Sequence, residues 1–266
     1  MVTRHAARSY SLVAAAVLVF AITFGFAAGS EASAAAPVWH VVVLGDSGAS
    51  GSGDPTALAW GGRYGRLLRQ KLGFNVVVTN LAREGLSSTA LLAELRTSSA
   101  TRAAVRNAQI ILFGSTAGAN LNAADSRLQA KQCKGEACYA SALRMWARDY
   151  SRIVATTAAL RGQKKTVLRG VTEPNVVPGA QGVIPPFATV ALGLYQAKLI
   201  RQAVCATMRT HGGRCVDVLA AFNGSSGTEN AYKTGLMNKV DCCYPSGKGQ
   251  ELIARLLLRT GLAPVR

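Results

Sequence analysis

Apolar and polar positions follow two rhythms along the chain. Short unbroken apolar runs, such as Val41-Val42-Val43-Leu44 and Val76-Val77-Val78, stop abruptly at glycine or at polar turn residues. Runs of that length, bounded by turn signals, read as strands buried on both faces. On this basis strands are predicted at Val41 to Leu44, Asn75 to Asn80, Ile110 to Thr116, Thr166 to Val171 and Arg214 to Leu219. Between them the apolar positions take helical spacing. Trp60 to Leu72 ends at Gly73, a good C-cap, and Ser99 to Asn107 is a short helical stretch. Tyr139 to Leu160 carries a stripe of Leu143, Trp146, Tyr150, Ile153, Thr157 and Leu160. Thr189 to Thr210 and Ser246 to Thr260 supply the last two helices. Alternation of strand and helix argues an α/β domain with a mainly parallel sheet covered on both faces.

The segments without either rhythm are informative. Residues 121–138 are polar and read as a connection with a small cysteine loop, whereas Thr172 to Gly179 and on through Pro185-Pro186 is too proline-rich for helix or inner strand. Phe222 to Lys239 is a glycine, serine and asparagine loop. The last two leave the C-terminal edge of the predicted sheet, where open α/β sheets bind their ligands.

Composition changes the picture in three ways. Arg4 and Arg8, an apolar run from Leu12 to Ala28 and then Ala32-Ser33-Ala34 form the pattern of a secretory signal. The expectation is a cleaved segment, residues 1–34, ahead of a single domain, 35–266, and a secreted protein; an uncleaved membrane anchor is the alternative. Six cysteines fit an oxidising destination. Cys205 with Cys215 and Cys133 with Cys138 are plausible pairs, and the partners of the adjacent Cys242 and Cys243 stay open. Their spacing, with no histidine among them, speaks against zinc, and no metal or organic cofactor is implied. The net charge of +17 becomes +16 when Arg4, Arg8 and Glu31 leave with the signal. The arginines are dispersed and no nucleic-acid recognition motif is present, so solubility and attachment to an anionic cell-envelope polymer are the expected meanings. A monomer is expected.

Four blocks carry chemistry. Gly45-Asp46-Ser47 ends the first strand and offers Ser47 as nucleophile; Gly85 lies in a turn after the second strand; Asn120 follows the third; Asp241-Cys242-Cys243-Tyr244-Pro245 precedes the last helix. In this order and context the blocks resemble the SGNH (GDSL-type) esterase and lipase family across the whole mature chain. The resemblance implies a three-layer α/β/α, flavodoxin-like fold with a five-stranded parallel sheet. It also implies Ser47 as nucleophile and oxyanion donor through its own N–H, with Gly85 N–H and the Asn120 amide as further donors. Pre-aimed donors of this kind stabilise an acyl-transfer intermediate by about 3–4 kcal/mol each.

The departures bear on function. Leu121 stands where the family has a second polar residue, and Asp241-Cys242-Cys243-Tyr244 stands where the family has Asp-x-x-His. A serine hydroxyl needs a base with pKa near the working pH. Tyr244 has a reference pKa of about 10, and even a value near 9 leaves about 1% phenolate at pH 7. His5 lies in the signal, and His40 and His211 precede strands, at the edge opposite Ser47. Asp241 acting directly or an ionised Tyr244 remain as bases. The expected function is a secreted ester hydrolase with an altered base, acting on small-molecule, lipid or glycan esters. The alternatives are a catalytically inactive domain of this fold that binds an ester or glycan at the cell envelope, and a basic envelope-interaction module.

Overall fold

A computed structural model describes residues 37–56, 58–180, 184, 188–240 and 243–264. The predicted signal, Asp241 and Cys242 lie outside the described residues. Five strands, β1 (Trp39–Leu44), β2 (Val76–Asn80), β3 (Ile110–Phe113), β4 (Val167–Val171) and β5 (Arg214–Val216), form one sheet among the described residues. Their order is β2-β1-β3-β4-β5, and every pairing is parallel. β1 is held on both sides, with Val42 opposite Thr79 and Ile111, which explains why Val41 to Leu44 can be apolar without a break.

The helices are α1 (Ser47–Ser50), α2 (Ala59–Leu72), α3 (Ser88–Thr97), α4 (Ser99–Asn107), α5 (Gly118–Gln129), α6 (Glu136–Arg161), α7 (Val190–Thr210), α8 (Val218–Asn223) and α9 (Gly247–Arg259). Side chains alternate across each strand, and the alternation sorts the core into two layers. Val42, Leu44, Ile111 and Phe113 pack with Leu91, Trp146 and Val204 of α3, α6 and α7. Val41, Val43, Ile110 and Leu112 pack with Trp60, Tyr64 and Leu68 of α2 and with Ile253 and Leu257 of α9. The result is the three-layer α/β/α fold.

Two connections differ from the reading of the sequence. Much of the polar segment 121–138 is helical: α5 runs to Gln129 and α6 begins at Glu136. Leu121, Ala124 and Leu128 recur at three- and four-residue spacing and pack into the layer that α6 crosses, a stripe too thin to stand out among polar neighbours. The last strand stops at Val216 rather than Leu219, because the Asp217 side chain accepts a hydrogen bond from Ala220 N–H (3.2 Å) and caps α8. Two disulfides, Cys133–Cys138 and Cys205–Cys215, join the α5–α6 connection and staple α7 to β5. Among the described residues no helix is long and apolar enough to cross a membrane.

Two placements lock the helices of the α2/α9 layer. Arg169 in the middle of β4 is fully buried, and its guanidinium donates to the carbonyls of Gly261 (2.8 Å) and Ala263 (3.1 Å) and to Thr260 Oγ1 (2.6 Å). It thereby ties the segment that follows α9 to the middle of the sheet. Helix α2 approaches the sheet through glycines: a Cβ on Gly61 would lie 2.5 Å from Val43 Cγ2, and one on Gly65 2.2 Å from Val78 Cγ2. Gly61→Ala should gain about 1 kcal/mol of helix propensity yet cost about 1–3 kcal/mol of overpacking. Because Val43 is buried in an inner strand and cannot swing away, a net loss of stability is expected in urea unfolding.

Candidate functional site

Three neighbouring strands end at the same edge, each giving way to polar residues. They are Leu44-Gly45-Asp46-Ser47, Phe113-Gly114-Ser115-Thr116 and Val171-Thr172-Glu173. The β1–β3 pairing outlasts the strands: Gly114 N–H donates to Leu44 O (2.7 Å) and Asp46 N–H to Ser115 O (3.2 Å). Ala49 of α1, 2% exposed, is wedged over both strand ends. A Cβ on either Gly45 or Gly114 would lie 2.7 Å from the Ala49 Cβ, so only glycine at both lets α1 settle there. Ser47 is thereby held on the wall of a cavity of about 330 Å³, at the C-terminal edge of the sheet. Its hydroxyl makes no hydrogen bond among the described residues.

Tyr244 lines the same cavity, from the segment before α9. That segment is tied to the loop after α1: Asn238 Nδ2 donates to Gly53 O (2.9 Å) and Asn238 N–H to Tyr244 O (2.9 Å). Gly53 itself has φ +78, and a Cβ there would lie 2.7 Å from the Tyr244 Cβ. Ser47 and Tyr244 are therefore brought together. Gly85 is placed otherwise, in an exposed turn that Leu86 N–H closes onto Arg83 O (3.2 Å), and it is not on the cavity wall. Asn120 stands in the first turn of α5 rather than in a loop, and its amide is directed to Ala142 O at 3.5 Å; its helix neighbours Gly118, Leu121 and Asn122 line the cavity. His40 and His211 fall at the start of β1 and just before β5, and neither is on the cavity wall.

The structure adds residues that the sequence did not single out. Glu173 lines the cavity with Asp46, and Ser115 lines it too. The Glu173 backbone is fixed from both sides. Thr172 N–H donates to Val216 O (3.1 Å) and Thr172 Oγ1 accepts from Val218 N–H (2.8 Å). Beyond it, buried Asn175 and Asn223 exchange hydrogen bonds, each 2.9 Å: Asn175 N–H to Asn223 Oδ1, and Asn223 Nδ2 to Asn175 O. At another part of the wall Asp125 of α5 accepts a short hydrogen bond from the Tyr139 hydroxyl of α6, and Gln196 of α7 lines the same wall. The cue for Glu173 was its place, just past the end of β4 at the edge where Ser47 and Ser115 follow their own strands.

Electrostatics set this cavity apart. Asp46, Asp125 and Glu173 line it, and no lysine, arginine or histidine does among the described residues, in a chain with 30 Lys and Arg. Burial, followed by the charge of Glu173, pushes the Asp46 carboxyl up to about 8, although the N–H groups of Gly118 and Gly48 pull it down. Burial also raises Glu173, against the Ser115 hydrogen bond. Asp125 is raised by burial as well. Asp54, behind the cavity, goes the other way: burial opposes its ionisation, but bonds from Arg63 (2.9 Å) and from Thr56 outweigh it and hold it low.

A carboxyl raised on folding favours the folded state while protonated. The Asp46–Glu173 contribution is thus complete below the ordinary value of 3.8 and is lost as pH climbs through about 8. Glu173→Gln, which keeps the shape and removes the charge, should flatten this decline. Thermal unfolding is expected to show little change at pH 4.5 and a Tm raised by roughly 2–4 °C at pH 8.5.

Comparison with known proteins places the fold. No protein-family model matches the chain, and no curated protein matches it in sequence. Solved structures do. The lipase Lip_vut3 from a goat rumen metagenome superposes with a TM-score of 0.70 at 19% identity, over 86% of this chain and 100% of that one. A candidate GDSL-like lipase from Parabacteroides merdae gives 0.58 at 13% identity, over 86% and 98%. A variant of Axe2, an acetyl-xylooligosaccharide esterase from Geobacillus stearmophilus, gives 0.57 at 17% identity, over 83% and 93%. The fold of this chain is that of the SGNH (GDSL-type) lipases and esterases.

Proposed function

We propose that the chain is an exported serine ester hydrolase acting on acyl or acetyl esters of small alcohols, lipids or sugars, with Ser47 as nucleophile. The observation that carries this reading is the Ser47 hydroxyl, without a hydrogen-bond partner among the described residues, on the wall of a cavity at the C-terminal edge of the sheet. A hydroxyl committed to a cap would have accepted or donated locally. Lipases and acetyl-esterases among the structural neighbours point to the same reaction class. Ser47 N–H is the first oxyanion donor, and Gly85 and Asn120 are the proposed further ones. Asp241 and Tyr244 complete the set expected from the sequence. Two disulfides fit an oxidising compartment, which supports export, and the net charge of +17 supports contact with an anionic envelope polymer.

The cavity also bears on which acyl groups it takes. Apolar surface from Trp60, Val171, Val177, Leu192 and Ile253 accommodates a short acyl chain, and three carboxyl groups without a cation oppose an anionic one. A second reading rests on the absence of histidine from the cavity wall among the described residues: a domain that binds an ester or glycan without turning it over.

Hydrolysis of 4-nitrophenyl acetate and butyrate by the oxidised protein separates the two. Turnover is expected, with a loss of at least ~10³-fold in Ser47→Ala and covalent labelling of Ser47 by a fluorophosphonate. Binding of acetylated sugars with neither turnover nor labelling would establish the second reading instead. Within the hydrolase reading, a 4-nitrophenyl hemisuccinate should show kcat/KM at least ~10-fold below that of the butyrate, about 1.4 kcal/mol of discrimination against the added carboxylate.

A further inference from the structure

We infer that the proton acceptor for Ser47 is the carboxyl pair formed by Asp46 and Glu173. This rests on the hydrolase reading and goes beyond it, because a nucleophilic serine needs a base and no histidine lines the cavity among the described residues. Asp46 directly precedes Ser47, and Glu173 reaches the same wall from the end of β4. Ser115 lies with both: its carbonyl accepts Asp46 N–H (3.2 Å), and it lines the cavity together with Glu173. The loops that carry them are pinned, Asp46 by the glycine contact over Ala49 and Glu173 by Thr172 and the Asn175–Asn223 exchange.

Two carboxyls crowded in one buried place cannot both ionise easily, and the pair retains a proton into the neutral range. With Asp46 pushed up to about 8 and Glu173 raised too, the ionised member has a proton affinity far above that of an exposed carboxylate. That is the requirement for a general base at neutral pH. The titratable groups facing the cavity are Asp46, Glu173, Asp125, Tyr139, Cys243 and Tyr244, and none is cationic.

The step balances without a co-reactant. The Ser47 O–H proton passes to the ionised carboxylate as Oγ bonds to the ester carbonyl carbon. The same carboxyl then gives the proton to the leaving oxygen as the C–O bond breaks, which releases the alcohol and leaves acyl-Ser47. Water repeats the sequence: its proton goes to the pair, its oxygen bonds to the acyl carbon, and Oγ recovers a proton as the acid departs.

The test compares the oxidised wild-type protein with Ser47→Ala, Glu173→Gln and Glu173→Asp, using 4-nitrophenyl butyrate from pH 5 to 10.5. Circular dichroism confirms that each variant is folded. Glu173→Gln is expected to lose about 10²–10⁴-fold in kcat with KM within about threefold, and Glu173→Asp to recover at least tenfold of that loss. The rate of fluorophosphonate labelling at Ser47 should fall in parallel. Wild-type kcat/KM should rise above the ordinary carboxylate range and be level by about pH 9, whereas a tyrosine base would still be climbing toward its pKa of about 10. Turnover that requires Ser47 but survives in Glu173→Gln, or that keeps rising beyond pH 9, overturns the base assignment and leaves the hydrolase reading intact. Should Glu173→Gln fail to fold, Glu173→Asp and the wild-type profile decide by the same criteria. No turnover by the wild type overturns both.

Discussion

The site depends on one steric constraint, the approach of Ala49 to Gly45 and Gly114 at the ends of the two central strands. Neither glycine can carry a side chain, since a Cβ would meet the Ala49 Cβ at 2.7 Å. Because the two positions face one methyl group, β1 and β3 stay in register past their last paired residues, and Asp46 is locked to Ser115. The short turn of helix that carries Ser47 then has one place to sit. From there the consequences run outward. The loop after α1 reaches Asn238 and the Tyr244 segment, and β4, in register with β3, delivers Glu173 to the same wall.

The stabilising and destabilising parts of this arrangement sit in different places. Away from the cavity, buried charges are answered: Arg169 by carbonyls of the segment after α9, and Asp54 by the Arg63 fork. On the cavity wall Asp46 and Glu173 stand together without a cation among the described residues. Leaving two carboxyls in this state costs folding energy at neutral pH, and the cost persists because the surrounding bonds over-determine their positions. A fold that answers Asp54 with an arginine had the means to answer Asp46. Its failure to do so on the wall that carries Ser47 separates the pair from an ordinary structural ion cluster.

How far the sequence could be read follows from what each signal measures. Strands buried on both faces show as unbroken apolar runs, so the alternation, the parallel sheet and the position of Ser47 were legible. The polar helix α5 was not, because its apolar stripe is only Leu121, Ala124 and Leu128, and Asn120 was accordingly read only as following the third strand. The motif blocks directed attention to Gly85 and Asn120, yet the cavity wall passes through Gly118, Leu121 and Asn122 instead. Glu173 was passed over for a different reason. A single glutamate in a proline-rich loop has no periodicity and no motif, and its meaning comes from the register that sets the end of β4 beside the ends of β3 and β1.

The surplus of positive charge and the acidic cavity belong to one electrostatic design, acting at different ranges. Exposed charges farther than a Debye length of about 10 Å are screened, so arginines on the outer faces do not set the protonation of Asp46. What sets it is local: burial first, then Glu173. A guanidinium within about 4–6 Å would reverse the outcome and return the carboxyl to the low range in which Asp54 is held, where a carboxylate is too weak a base to take a serine proton. Exclusion of Lys and Arg from this wall, in a chain that carries 30 of them, is therefore a condition for the chemistry, as the placement of a histidine would be in a site that had one.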